Sequence, residues 1–354
     1  MISPLLDDGA GRIARAAVAV SAFSAQHFPQ AIRQVLSAIP AEIELDIVFD
    51  APVRPQLGQW LDDAGRTNTI NLHQAPEGLN YSLWLQDPLL IRADGSASAS
   101  DAFARYQDRE IALFLRNTLG WPQCEPGIDV DGGNVITHGD LVLVSADVDA
   151  DEDALSAFDP SRRLISLGTA QPCVPETTRQ TDRPQPGWTE TLHQLSLEDT
   201  RQPVFHLDHM IAPAGHSAGK PRFLVGCPRL GASMIGHPLW DHAQPDAFDE
   251  IAAMLEASGA EVIRNPQPLA WVARPDRQLR RWFHLPVHHV LIPADAVLLP
   301  CFANEHWPEL RPLDAANADI WAQLGFQVIP VPDMMAFAEA RGGPRCMVKV
   351  TARR

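Results

Sequence analysis

The stretch FDEIAAMLEASGAEVIRNP, residues 248–266, decides the fold class. Its first ten residues place Phe248, Ile251, Ala252 and Leu255 at helical spacing, which predicts an amphipathic helix over 248–257. Gly259 suits the left-handed position that closes a helix, 261–264 carries strand formers, and Pro266 ends the run. The same order returns in AANADIWAQLGFQVIPVP, residues 315–332. There a helix over 315–324 is closed by Gly325 and followed by a strand over Gln327–Val331 and Pro332. Gly65, after a helix over 56–64 and before a strand over 69–73, opens a third such step.

A helix–glycine–strand step recurring at roughly 60–70 residues predicts an α/β protein of several βα modules around a common centre. Further strands are expected at 16–21, 43–49, 135–136, Leu141–Ser145 and 164–167, and further helices at Pro29–Ala38 and 105–117. The polar, proline-bearing segment 176–203 reads as a long loop or lid. The sequence looks alike on either side of it, so residues 1–354 are expected to form one domain.

With 44 acidic against 28 basic residues the formal charge is −16. A field of that sign repels phosphate backbones and anionic lipid, which argues against nucleic acid and membrane partners and mildly favours cationic small molecules. Cysteines 124, 173, 227, 301 and 346 are odd in number and widely spaced, with no Cys-x-x-Cys pair. That is neither a disulfide framework nor a zinc knuckle, and it fits a reducing compartment. No apolar run approaches a membrane span or a signal segment, so a cytoplasmic location is expected.

Four short polar segments stand at the edges of strand-like runs. They are Trp84-Leu85-Gln86-Asp87-Pro88, Asp129-Val130-Asp131-Gly132-Gly133-Asn134, Phe205-His206-Leu207-Asp208-His209 and Gly342-Gly343-Pro344-Arg345-Cys346-Met347. Singly, each has a plain structural reading. Asp before Pro opens a turn, and Asp-Gly-Gly-Asn makes a hairpin turn. His-x-Asp on a strand puts both side chains on one face, as a core histidine or an acid–base pair. A cysteine after Gly-Gly-Pro is a strand residue after a turn.

In this order the four segments resemble the guanidino-group-modifying enzymes: arginine, agmatine and peptidyl-arginine deiminases, dimethylarginine dimethylaminohydrolases and glycine amidinotransferases. The resemblance spans residues 84–350, and Arg341-Gly-Gly-Pro-Arg-Cys346-Met and His206-Leu-Asp208 look most like arginine deiminases. It implies the pentein fold, a five-bladed α/β propeller of ββαβ modules with pseudo-fivefold symmetry around a polar channel. It also implies a cysteine hydrolase without metal or organic cofactor. Its ligand would be a cationic guanidino compound, either arginine, a derivative or an arginyl peptide.

By that resemblance Cys346 is the nucleophile, His206 the acid and base, and Asp131 the carboxylate that keeps His206 oriented and protonated. Asp87 and Asp208 grip the guanidinium, whose flat fork matches carboxylates held in its plane. Trp84 and Asn134 belong to the substrate-binding motifs, and Arg341 matches an arginine that contacts the substrate carboxylate. Attack of the thiolate on the central carbon leaves a covalent amidino-thioether, which water converts to a ureido product. Two positions depart from the pattern: Gln86 stands where deiminases usually carry Arg, and Asp131 where they commonly carry Glu.

Other readings compete. Passing the amidino group to an amine would make the chain an amidinotransferase, and the same fold serves as a binding protein when the chemistry is lost. A metal hydrolase would draw on His206, Asp208, His209 and His216, or on His284, His288 and His289. No spacing among these matches a helical ligand pair such as His-Glu-x-x-His.

Overall fold

The computed structural model describes the chain apart from residues 1, 67–68, 101–105, 125–126, 172, 174–176, 182–189, 195–199, 236–242 and 275–278. Val135–His138 pairs antiparallel with Leu141–Ser145, the chain crosses through the helix Glu152–Phe158, and Arg163–Leu167 returns parallel to Leu141–Ser145. A parallel return needs such a crossover, whereas the antiparallel pair needs only a turn. Ile211–Ser217, Lys220–Cys227, the helix Pro245–Ala257 and Glu261–Pro266 repeat this order.

A third unit is assembled from both ends of the chain. Val348–Arg353 lies antiparallel to Ile13–Val20, the helix Pro29–Ala38 crosses over, and Glu44–Phe49 runs parallel, with Ile70–Gln74 added outside it. Two shorter units keep the order. One is Leu89–Ile91, Ala97–Ala99, the helix Asp108–Thr118 and a parallel bridge from Ala97 to Gln123. The other is a bridge from Leu291 to Leu298, then Ala296–Pro300, the helix Arg311–Gln323 and Gln327–Val331.

The central strands are near-continuous apolar runs because both faces are covered. Ala16 to Val20 and Leu45 to Phe49 are almost all aliphatic or aromatic and fully buried. Gly259 and Gly325 close their helices at φ +91° and +90°, where a side chain would be strained. The helix–glycine–strand reading therefore holds, with helix ends displaced by a few residues from their expected positions. The mixed α/β class stands. No helix among the described residues is long and apolar enough to cross a membrane, and all five cysteines are free.

The segment 176–203, expected as a loop or lid, contains two strands. Thr177–Thr181 and Glu190–Gln194 pair antiparallel, and the first of them joins Leu279–His284 and Leu269–Arg274 in a four-stranded sheet. The threonines at 177, 178, 181 and 191 favour such a ladder over an irregular loop. Residue 176 and the connections 182–189 and 195–199 lie outside the described residues.

The architecture also explains where the polar segments fall. Four of the units begin with a strand, and each of those strands is entered from one of them. Asp87 precedes Leu89–Ile91, Asp131 precedes Val135–His138, Asp208 precedes Ile211–Ser217 and Cys346 precedes Val348–Arg353. In the fifth unit the corresponding position, just before Leu291, is held by His288 and His289.

Candidate functional site

Backbone hydrogen bonds tie these entry segments together. Gln86 N–H donates to the Cys346 carbonyl at 3.0 Å, and Gly132 N–H donates to the Asp87 carbonyl at 3.0 Å. Asp131-Gly-Gly-Asn134 is not a hairpin turn but a 3-10 turn over Gly132–Asn134 leading into a strand. Its glycines let neighbouring segments approach. A side chain at Gly132 would strike the Gln86 backbone, and one at Gly133 would strike the His206 ring. Gly133→Ala is therefore expected to displace that ring and cut kcat by about tenfold or more, with an overpacking cost of about 1–3 kcal/mol. Steady-state assay and thermal melting check both.

His206-Leu-Asp208 is also not a strand. His206 is extended and caps a 3-10 turn over Leu207–His209, so its side chain and that of Asp208 reach different partners instead of sharing one face. The turn is held by Asn134, whose Oδ1 accepts from Leu207 N–H at 3.3 Å and from Gln202 Nε2 at 3.2 Å. Asn134 thus secures two entry segments to one another. Cys346 sits on the short helix Pro344–Met347 and not on a strand, because the Pro at its start and the close approach of Gly343 to His289 set the turn.

His206 Nε2 lies 3.3 Å from an Asp131 oxygen, and its Nδ1 lies 3.8 Å from Asp87 Oδ1. Burial alone would lower the His206 pKa, yet the charges of Asp87 and Asp131 carry it up to about 9. Burial drives the Asp87 carboxyl up to about 7 against the opposing pull of His206. Asp208 is fully buried and doubly held: His289 Nε2 is 3.0 Å from its Oδ1, and Arg345 Nε is 3.1 Å from its Oδ2. Burial raises its pKa, but these partners prevail and hold it well below the usual carboxylate range. Arg345 reaches on to Asp8 at 2.8 Å. The Cys346 thiol is buried, and burial together with Asp208 and Asp87 pushes it well up.

A cavity of about 250 Å³ opens above this cluster, with Asp87, Trp84, Tyr106, Phe205, Glu339 and Arg341 among its walls. Trp84 packs edge-on to Phe337 at 5.2 Å and covers Gly342, where a side chain would meet its ring. The Arg341 guanidinium lies 4.8 Å from the centre of the Phe205 ring. Its backbone is left-handed, and its carbonyl accepts from His209 Nε2 at 3.1 Å.

Two overlapping groups have the geometry to hold a metal ion: His206, Asp208 and His209, or Asp208, His289 and Cys346, with ligand atoms within 4.8 Å. Arg345, already on Asp208, sets a full positive charge beside either group. His288 is tied to the His209 carbonyl and to Asn265, and burial depresses its pKa to about 3.

No protein-family model matches the sequence, and no curated protein matches it. Solved structures do. A structural-genomics target provisionally named agmatine deiminase superposes with a TM-score of 0.66 at 12% identity, covering 99% of this chain and 96% of its own. The dimethylarginine dimethylaminohydrolase of Pseudomonas aeruginosa, as a cysteine-to-serine mutant complexed with citrulline, follows at 0.50 and 12%, covering 97% of this chain and 100% of its own. The chain has the fold of the guanidino-modifying enzymes.

On this fold, Asp87, Asp131, His206, Asp208 and Cys346 form one linked cluster, while Trp84 and Arg341 line the cavity. Asn134 is a tie beneath them. The sequence reading gave three neighbours no such place: His289 entered it only as a metal candidate, Arg345 only as part of the Cys346 segment, and Lys349 not at all. His289 and Arg345 flank Asp208, and Lys349 Nζ lies 3.2 Å from Gln86 Oε1. Lys349 thus sets a cation beside the position where deiminases usually carry Arg, and burial brings its pKa down to about 8. The sequence signal for His289 was positional: it stands before the first strand of its unit, as Asp87 and Cys346 do.

Proposed function

We propose that the chain hydrolyses a guanidino compound to a ureido product through a covalent amidino-thioether on Cys346. The observation that carries this is the pairing of Asp87 and His206. Among the described residues, Asp87 Oδ1 and His206 Nδ1 are buried beside the cavity without a hydrogen-bond partner, although buried polar atoms are nearly always satisfied. A planar cation donating to Asp87 would supply the missing bond. The likeness to solved guanidino-modifying enzymes supports the class. We further take the five units as blades around a pseudo-fivefold axis, forming a single catalytic domain over residues 1–354.

Asp87 receives the guanidinium N–H groups. Asp208, its oxygens already engaged by His289 and Arg345, contributes negative charge from behind instead of a second fork. Cys346 sulfur adds to the guanidinium carbon, and His206, protonated through Asp131 and Asp87, gives its proton to the departing nitrogen. Neutral His206 then takes a proton from water, which displaces sulfur. Arg341 and Glu339 on the cavity wall offer one charge of each sign, which suits the carboxylate and ammonium of an amino-acid substrate.

A panel of arginine, methylarginines, agmatine, guanidinoacetate and arginyl peptides, scored for ureido product and released amine, tests this. At least one carboxylate-bearing member is expected to be hydrolysed, and Arg341→Ala should raise its KM by about tenfold while sparing agmatine. Transfer to an added amine in place of water would identify an amidinotransferase. Silence across the panel defeats the proposal.

The pH profile gives a second check. Asp87 must be charged to hold the cation, so kcat/KM should rise through about pH 7, and it should fall through about pH 9 as His206 loses its proton. Asp131→Asn removes charge that holds His206 protonated, so the falling limb should move to lower pH. A limb that stays in place removes Asp131 from the role.

A further inference from the structure

Cys346 enters the proposed reaction as a thiol, because burial and the nearby carboxylates oppose its ionisation. Something must take its proton. His206 is poorly suited, since Asp87 and Asp131 already hold it protonated and an imidazolium is an acid. The ring nitrogens of His289 lie beside the sulfur, with Nδ1 at 3.6 Å and Nε2 at 3.8 Å.

His289 is fully buried, and its ring is fixed on several sides. Nε2 lies 3.0 Å from Asp208 Oδ1, and because a carboxylate only accepts, the neutral ring places its N–H there and its acceptor at Nδ1. Asp208 is itself anchored by Arg345, and Arg345 by Asp8. The His209 ring stands edge-on at 4.2 Å, and the absence of a side chain at Gly343 lets its backbone lie against the His289 ring. Nucleophile, base and a third group orienting the base form the arrangement that activates weak nucleophiles, and its first contact is commonly long before substrate binds.

We propose that His289, held by Asp208, is the base that removes the proton of Cys346. The S–H bond breaks, its proton passes to Nδ1 of His289, and the electron pair left on sulfur forms the bond to the guanidinium carbon. The two histidines then divide the work: His289 serves the sulfur and His206 the departing nitrogen. The fifth unit contributes its own chemical group at the position where the other four contribute theirs.

This rests on the reading of Cys346 as nucleophile, but it is testable without any guanidino substrate. Iodoacetamide alkylation of the Cys346 peptide, followed by mass spectrometry from about pH 6 to 10, reads how readily the sulfur gives up its proton. In the wild type the rate should vary little with pH near neutrality. In His289→Asn, which keeps an amide beside Asp208 but has no base, it should be at least tenfold slower at pH 7 and climb about tenfold per pH unit, because the thiol must ionise unaided. Profiles of the same shape, whatever their height, overturn the proposal, since His289 would then only shape the site. A changed shape with a silent substrate panel defeats the proposed function and leaves His289 as the base. An unchanged shape with an active panel does the reverse.

Discussion

Cys346→Ser is expected to lower turnover of any guanidino substrate by about 10³-fold or more, which corresponds to about 4 kcal/mol of barrier. A serine hydroxyl at its ordinary pKa is a far weaker nucleophile than sulfur, and the covalent route closes with it. The fold should survive, because the change is nearly isosteric in a segment held by the Gln86–Cys346 backbone bond and by Pro344. Serine at Cys124, Cys173, Cys227 or Cys301 should leave activity intact. Cys301 illustrates why: its thiol donates to the Leu299 carbonyl at 3.6 Å, outside the cluster around Cys346. Mass spectrometry with a slow guanidino compound should place the adduct on Cys346 alone. Full activity of Cys346→Ser would sink the mechanism.

Asp208→Asn should lose stability as well as activity. At present the carboxylate neutralises Arg345 and receives His289 in a fully buried position. The amide leaves a buried guanidinium with Asp8 as its remaining carboxylate and offers His289 a poorer acceptor. Breaking one side of a buried ion pair costs about 3–5 kcal/mol, a fall in Tm on the order of 5–10 °C for a chain of this size.

The pH dependence has a definite sign. Asp208 has a folded pKa well below its unfolded value, so its stabilisation is fully present above pH ~4 and is lost as pH falls through the folded value. The gap between wild type and variant should therefore be full at pH 7 and narrow in strong acid. Thermal melts of both proteins at neutral and acid pH check this; equal Tm values at pH 7 would remove Asp208 from the centre of the network.

Much of this architecture was legible from local pattern. The helices after Pro29 and before Gly259 and Gly325 depend on residues a few positions apart, and helical periodicity, glycine caps and proline stops act at that range. The site residues were also legible as types in order. Their conformations were less so. His206-Leu-Asp208 suggested a strand, but the Asn134 side chain, brought in from another unit, holds the backbone in a turn and sends the two side chains to different partners. Asp-Gly-Gly-Asn suggested a hairpin, but its glycines serve close packing against Gln86 and His206 instead. The histidines at 288 and 289 suggested metal ligands from their clustering, yet His288 is absorbed by Asn265 and the His209 carbonyl while His289 turns to Asp208 and Cys346.

The sequence by itself determined the α/β class and the repeated helix–glycine–strand step, because each follows from neighbours in the chain; Cys346, His206, Asp208, Asp131 and Asp87 were singled out by the resemblance of four short segments taken in order. Only the tertiary structure decided which groups touch. His289 stands 57 residues before Cys346 and 81 after Asp208, and no periodicity reaches across such intervals. They meet because each unit starts its first strand from the same place in the fold. Five distant segments therefore deliver two histidines, a thiol and three carboxylates to one buried point, where low dielectric makes their mutual charges decide each proton.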